Sequence, residues 1–315
     1  MKRNALTRYA FTGVALAALA LTACSSNPSS GSAGGGSGSI KIDGSSTVGP
    51  LSEAAAALYG DENPDVRVSV GTSGTGGGFE KFCAGETDIS DASRPIEDEE
   101  KAACEKEGIS FTEMTVANDA LSVVVSKNTD WVDCLTTEQL KKIWEPGSKV
   151  NTWKDVDPSF PNKPLKLYGP GTDSGTFDYF TEEINGEEGA SREDYEASED
   201  DNVLVQGVSE TDGALGYFGY TYFEENQDKL KVLGVDGGDG CVKPSVDTAQ
   251  DGTYQPLSRP LFVYVSEDAA KKAHVRKFVE FYVENIDDII TEAHFIPLTE
   301  EQKSELTTNL DSLKG

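Results

Sequence analysis

Apolar positions along the chain follow two rhythms. Alternation with period two in residues 66–71 (VRVSVG) predicts a strand, and 39–43, 88–90, 165–168 and 261–265 read as short strands beside it. Residues 121–126 (LSVVVS) form a continuous apolar run, as expected of a strand buried on both faces. Helical spacing appears in 50–60, in 78–84 with Phe79 and Phe82 on one face, and in 176–184 with Phe177, Phe180 and Ile184. It extends through one long segment, 267–290, where Val275, Phe278, Val279, Tyr282 and Ile286 make a single stripe. Thr136-Thr137-Glu138-Gln139 and Thr299-Glu300-Glu301-Gln302 have capping-box spacing and predict two helix starts, at 137 and at the last helix. Strands alternating with helices predict α/β layers. No repeat of solenoid period is visible. The acidic stretch from Glu182 to Asp201 reads as a solvated insertion.

The first residues follow neither rhythm. Lys2, Arg3 and Arg8 precede an apolar run from Phe11 to Ala23, too short to span a bilayer comfortably, which reads as a secretory signal over residues 1–23. It ends in Leu21-Thr22-Ala23-Cys24, a quartet that resembles the bacterial lipoprotein signal, in which the cysteine is lipidated and becomes the new N-terminus. Residues 24–39 are almost entirely Ser and Gly and make a flexible tether. The expected location is the extracytoplasmic face of the cell membrane, with Cys24 as the lipid anchor.

Composition narrows the function. The 315 residues carry 27 Lys+Arg against 55 Asp+Glu, a net charge of −28, and loss of the signal would remove three more positive charges. Such a chain repels phosphate backbones and anionic lipid surfaces, so nucleic acid is not an expected partner. Two histidines, His274 and His294, are too few for a multi-histidine metal site, and no cofactor or metal is expected. Four cysteines remain beyond Cys24: Cys83, Cys104, Cys134 and Cys241. In an oxidising compartment they suggest two disulfides, with three pairings open. Cys83–Cys104 with Cys134–Cys241 is favoured, because the first two are close in sequence and the others flank one predicted domain.

Three segments share a chemistry that secondary structure does not require. Gly44-Ser45-Ser46-Thr47, Ser73-Gly74-Thr75-Gly76-Gly77-Gly78 and Thr172-Asp173-Ser174-Gly175-Thr176 each follow a strand, carry Ser, Thr and Gly, and open a helix. Unpaired backbone N–H groups, hydroxyl donors and a close-approaching glycine backbone together suit a small anion. Any one of them is equally an ordinary helix cap. None has the spacing of a P-loop or a dinucleotide fingerprint. Asp88 and Arg94 follow the second loop. Arg94 could fork onto an oxyanion, and Asp88 could accept a proton-bearing oxygen of hydrogen phosphate while repelling sulfate.

These loops resemble the PstS-type phosphate-binding lipoproteins of ABC importers, through GSSTVGPL (44–51), GTSGTGGGFEKF (71–82), TDISDASRPI (87–96), LKLYGPGTDSGTFDYF (165–180) and GALGYFGY (213–220). The resemblance implies a two-lobed periplasmic-binding-protein fold of type II, each lobe a mixed sheet flanked by helices, with the ligand in the cleft. Residues 40–117 with 260–315 would form the first lobe and 118–259 the second, joined by two crossings. By motif, Ser46, Thr47, Ser73, Thr75, Ser174, Gly175 and Thr176 would donate to phosphate, and Asp88 would accept its proton. Some members carry an arginine four residues before the serine of the third loop. Here that position is Pro170, which leaves Arg94 as the expected cation. The resemblance implies a non-enzymatic, monomeric protein whose partners are inorganic phosphate and a membrane permease. Binding of another oxyanion, an exported phosphatase and a surface scaffold are the competing classes.

Overall fold

The computed structural model describes residues 38–313; the signal segment, Cys24 and most of the tether lie outside the described residues. Gly38 and Ser39, assigned to the tether from composition, already belong to the first strand. The strands are β1 (Gly38–Gly44), β2 (Val66–Gly71), β3 (Ile89–Ala92), β4 (Phe111–Ser126), β5 (Cys134–Thr136), β6 (Lys166–Gly169), β7 (Glu196–Ala197), β8 (Ala214–Gly219), β9 (Leu230–Val232), β10 (Gly234–Asp236), β11 (Cys241–Val242) and β12 (Ser258–Ser266). One mixed, nine-stranded sheet runs β2-β1-β3-β12-β4-β8-β6-β7, with β9 also on β4, and a small sheet runs β11-β10-β5.

Two strands hold the molecule together. β4 is far longer than the apolar run 121–126 implied, and it pairs antiparallel with β12 from Phe111↔Ser266 to Ala120↔Ser258. Its polar first half gave no apolar signal, because that half draws its burial from neighbours rather than from its own composition. Apolar side chains sort by where they fall on this pair. Ile40, Ile42, Leu51, Val116, Leu261, Val265 and the stripe Val275, Phe278, Val279 and Tyr282 form one core. Leu121, Val123, Trp144, Phe180, Leu204, Phe218 and Leu257 form another, which Ile296 also joins. A small third cluster of Phe79, Phe82, Ile96 and Tyr264 sits beside the first. The change of core falls at residues 118–119 of β4 and 258–260 of β12.

Local signals explain most helices. Thr136 accepts from Gln139 N at 3.1 Å and the Gln139 side chain accepts from Thr136 N at 3.0 Å, so the capping box opens the helix Thr137–Trp144. Gln302 does the same with Thr299. The long segment 267–290 is instead three helices, Glu267–Ala270, Ala273–Glu284 and Ile286–Glu292. Asn285 leaves helical dihedrals at φ −110°, ψ 21°, and its amide bonds back to Phe281 O at 2.9 Å. A short polar side chain competes with the helix ladder there, while the apolar stripe stays on one face.

The stretch 182–201 is mostly exposed, as expected of a solvated acidic segment, but it is pinned to the second core at two buried positions. Arg192 is buried, donates to Ile143 O and Val150 O at 3.0 Å each and pairs with Asp194 at 2.7 Å. Tyr195 packs edge-on to Trp144, and Ile184 is buried. Cys83 is joined to Cys104, and Cys134 to Cys241, the pairing favoured from the sequence.

Candidate functional site

Loops that leave the carboxyl ends of parallel strands collect at one edge of an α/β sheet. β1, β2 and β3 run one way and β6 the opposite way, so their carboxyl ends face each other, and their loops meet around one small cavity of about 20 Å³. Its walls are Ser45, Ser46 and Thr47 after β1, Gly74 and Thr75 after β2, Ser93 after β3, and Gly175, Asp178 and Tyr179 after β6, with Glu182, Glu188 and Arg259. On its other side Ser46, Thr47 and Gly175, with Ser174 and Thr176, face a larger groove of about 820 Å³.

Each loop is held from beneath. Ser45 N donates to Asp91 O at 2.9 Å, and Ser45 Oγ accepts from Thr47 N at 3.2 Å, turning the chain into the helix Gly49–Glu62. Ser93 N donates to Thr75 Oγ1 at 3.2 Å and their hydroxyls lie 3.0 Å apart, tying the second loop to β3. The helix Gly74–Cys83 packs directly on the first loop, where a β-carbon on Gly78 would lie 2.5 Å from Gly44 Cα. Ser174 caps the helix Gly175–Phe180 by accepting from Thr176 N at 3.2 Å.

The loops touch across the cleft. Ser46 Oγ donates to Asp178 Oδ2 at 2.9 Å, and Thr47 Oγ1 donates to Gly175 O at 3.2 Å. Arg259 Nη2 donates to Thr47 Oγ1 at 2.9 Å, and its guanidinium lies 3.4 Å over the Tyr179 ring. Asp119 Oδ2 faces Arg259 Nε at 3.7 Å. Burial raises the Asp119 carboxyl and Arg259 opposes the shift; burial likewise raises Asp178, against the Ser46 hydrogen bond and Arg259. The wall therefore offers hydroxyl donors, one guanidinium and the carboxyl groups of Asp178, Glu182 and Glu188. That set suits an oxyanion that carries a proton.

A model of the periplasmic-binding-protein superfamily domain matches residues 29–285. The chain is 51% identical over 278 residues to Protein SphX of Synechococcus elongatus, covering 87% of this chain and 82% of that one. It is 43% identical over 301 residues to the phosphate-binding protein PstS of Staphylococcus saprophyticus, covering 95% and 92%. This chain belongs to the PstS-type phosphate-binding protein family. Its fold matches the crystal structure of a possible phosphate-binding protein from Planctomyces limnophilus, with a TM-score of 0.85 and 43% identity over 89% of this chain and 99% of that one. The two-lobed fold is that of the family.

Against the family's loops, the residues expected from sequence divide. Ser46, Thr47, Thr75 and Gly175 line the small cavity, and Ser174 and Thr176 stand beside it on the groove side. Ser73 turns away, donating through N and Oγ to Asp43 Oδ1 at 3.1 and 2.6 Å, and so anchors its loop. Asp88 precedes β3, whereas the cavity lies beyond its other end at Ser93. Five residues at about 3.3 Å each separate the two by roughly 16 Å. Its carboxylate accepts from Lys41 N at 3.0 Å and pairs with Lys272 at 2.8 Å. Arg94 forks onto Glu100 with two bonds of 2.9 Å, faces Glu97 at 3.4 Å, and is not part of the cavity wall.

Sequence reasoning missed Ser93, Asp178, Tyr179 and Arg259. Ser93 and Asp178 lie inside the resembling motifs and could have been read from them. Nothing near Arg259 in the sequence connects it to the loops. Among the described residues no group of three or more metal-ligating side chains is poised for an ion, and no helix is long and apolar enough to cross a membrane.

Proposed function

We propose that this chain binds inorganic phosphate outside the cytoplasm and delivers it to the membrane permease of an ABC importer, as a monomer tethered by a lipid on Cys24. The observation that carries the reading is the meeting of loops from both lobes around one cavity of about 20 Å³. That is the scale of a water molecule or two, so only a compact solute fits, and only with a slight parting of the lobes.

Residues 40–117 with 260–315 act as one lobe and 118–259 as the other, hinged where β4 and β12 pass between the cores. Ser46, Thr47, Thr75, Ser93 and Gly175 donate from hydroxyls or backbone. Asp178, rather than Asp88, meets the proton of hydrogen phosphate. An anion that touches both lobes favours the closed state by its differential affinity for it. Charge-assisted hydrogen bonds contribute roughly 1.5–3 kcal/mol each, so several support the about −8 kcal/mol of a micromolar site.

Calorimetry with phosphate, arsenate, sulfate and a phosphate monoester tests the function. Micromolar or tighter binding of phosphate, with no turnover of the ester, is the expected result. Absence of phosphate binding, or release of phosphate from the ester, would overturn it. Cys24→Ser should release the protein from the membrane fraction of its own cell.

A further inference from the structure

Pro170 stands where some members of the family carry a third-loop arginine, and Arg94 is committed to Glu100 and Glu97. Among the described residues lining the small cavity, Arg259 is the only basic one. It comes from neither the loops nor a helix. It lies on β12 where that strand passes between the two cores, and its register partner on β4 is Asp119.

The surroundings hold the guanidinium in place without using it up. The guanidinium carbon lies 3.4 Å from the centre of the Tyr179 ring, and the Tyr179 hydroxyl donates to Pro256 O at 2.6 Å. Asp119 stands at 3.7 Å, close enough for charge attraction and too far for a hydrogen bond. Nε is buried without a hydrogen-bond partner, and Nη2 donates to Thr47. A guanidinium has five N–H donors in a fixed fork. A stacked, charge-balanced arginine with donors to spare at a cavity wall is suited to bind an oxyanion through that fork.

We infer that Arg259 is the cationic ligand of the anion, supplied by the hinge strand in place of the third-loop arginine. The inference rests on the phosphate reading and adds the residue that sets affinity. It also gives closure a physical link. Thr47 belongs to the first lobe and Tyr179 to the second, and Arg259 is the last residue of the second-lobe segment, on the strand that crosses back to the first. An anion bridged to Arg259 and to both loops is therefore tied at once to each lobe and to the hinge.

Removing Arg259 alone would leave Asp119 buried without a counter-charge, which is itself destabilising. The test therefore compares the full chain, Asp119→Asn, Asp119→Asn/Arg259→Gln, Arg259→Lys and Arg94→Gln. Each is titrated with inorganic phosphate by calorimetry and melted without phosphate. Arg94→Gln should bind within a few-fold of the full chain, and Asp119→Asn serves as the reference that lacks the counter-charge but keeps Arg259. The double variant should bind at least about 100-fold more weakly while melting close to Asp119→Asn, as loss of a charge-assisted fork predicts. Arg259→Lys should recover part of that loss, since it keeps the charge and loses the fork. Phosphate binding by the double variant equal to that of Asp119→Asn overturns the inference, as does loss of binding in Arg94→Gln alone. A full chain that binds no phosphate overturns the functional reading and this inference with it.

Discussion

Ser46 and Asp178 are 132 positions apart in the chain and meet at 2.9 Å across the cleft. The hydroxyl donates and the carboxylate accepts, so the pair already shows how an acidic side chain can sit among donors. An anion entering between them can keep Asp178 as an acceptor only by bringing a proton of its own. Asp178→Asn should therefore weaken phosphate by roughly 10–100-fold, the size of one charge-assisted hydrogen bond, and weaken sulfate far less or strengthen it. Competition calorimetry measures the ratio, and an unchanged phosphate-to-sulfate preference excludes Asp178 from this role. Asp88→Asn should leave the ratio alone, because that carboxylate is spent on Lys272.

Closure depends on a backbone with no side chain. A β-carbon on Gly175 would lie 2.4 Å from Thr47 N and 2.6 Å from Thr47 Oγ1. These contacts join the two proposed lobes, so Gly175→Ala should relieve them by opening the proposed hinge rather than by unfolding. The expected result is phosphate binding weaker by about 100-fold or more, with a small change in melting temperature. Small-angle scattering at saturating phosphate should show a more extended particle than the parent protein. A compact, tightly binding variant would refute this account of the close approach.

Beneath the first loop lies Asp91, fully buried, whose backbone oxygen holds Ser45 N and whose Oδ1 accepts from Ser52 Oγ at 2.8 Å. Burial pushes its carboxyl up to about 8, with Asp43 and Glu53 adding to the rise. The group is raised on folding, so it is protonated in the native protein at neutral pH and ionised in the unfolded chain. Its contribution to stability is full below about pH 4 and is lost as pH climbs toward 8. Asp91→Asn keeps a neutral polar group and removes that dependence. Melting temperatures between pH 5 and 8 should fall less steeply in the variant than in the parent, and parallel curves would contradict the assignment.

The bond between Cys134 and Cys241 closes a separation of 107 residues, against 21 for Cys83 and Cys104. In the chain-entropy account the longer loop stabilises more. Cys134→Ser/Cys241→Ser should cost about 3–5 kcal/mol in denaturant unfolding, and the shorter loop's double variant less. Phosphate binding at 25 °C should survive the loss of the longer bridge, because neither cysteine lies near the cavity walls. The reverse order of costs would show that native-state contacts, not loop length, govern the two bridges.

Much of this protein was legible from residue order because its signals are local. Capping boxes at Thr136 and Thr299, the stripe from Val275 to Ile286 and the glycine-hydroxyl loops each act within a turn or two of chain. Their motifs also sufficed to recognise the family. What residue order could not supply were relations set by strand direction and strand crossing. Asp88 and Ser93 are neighbours in one motif, yet β3 places them at opposite ends, and only the end from which the chain leaves faces the small cavity. Arg259 reaches the cavity because β12 crosses beside β4 and Tyr179 folds under it. Side chains brought together over 80 or more residues are selected by packing and charge balance in the closed molecule, and no local spacing records that.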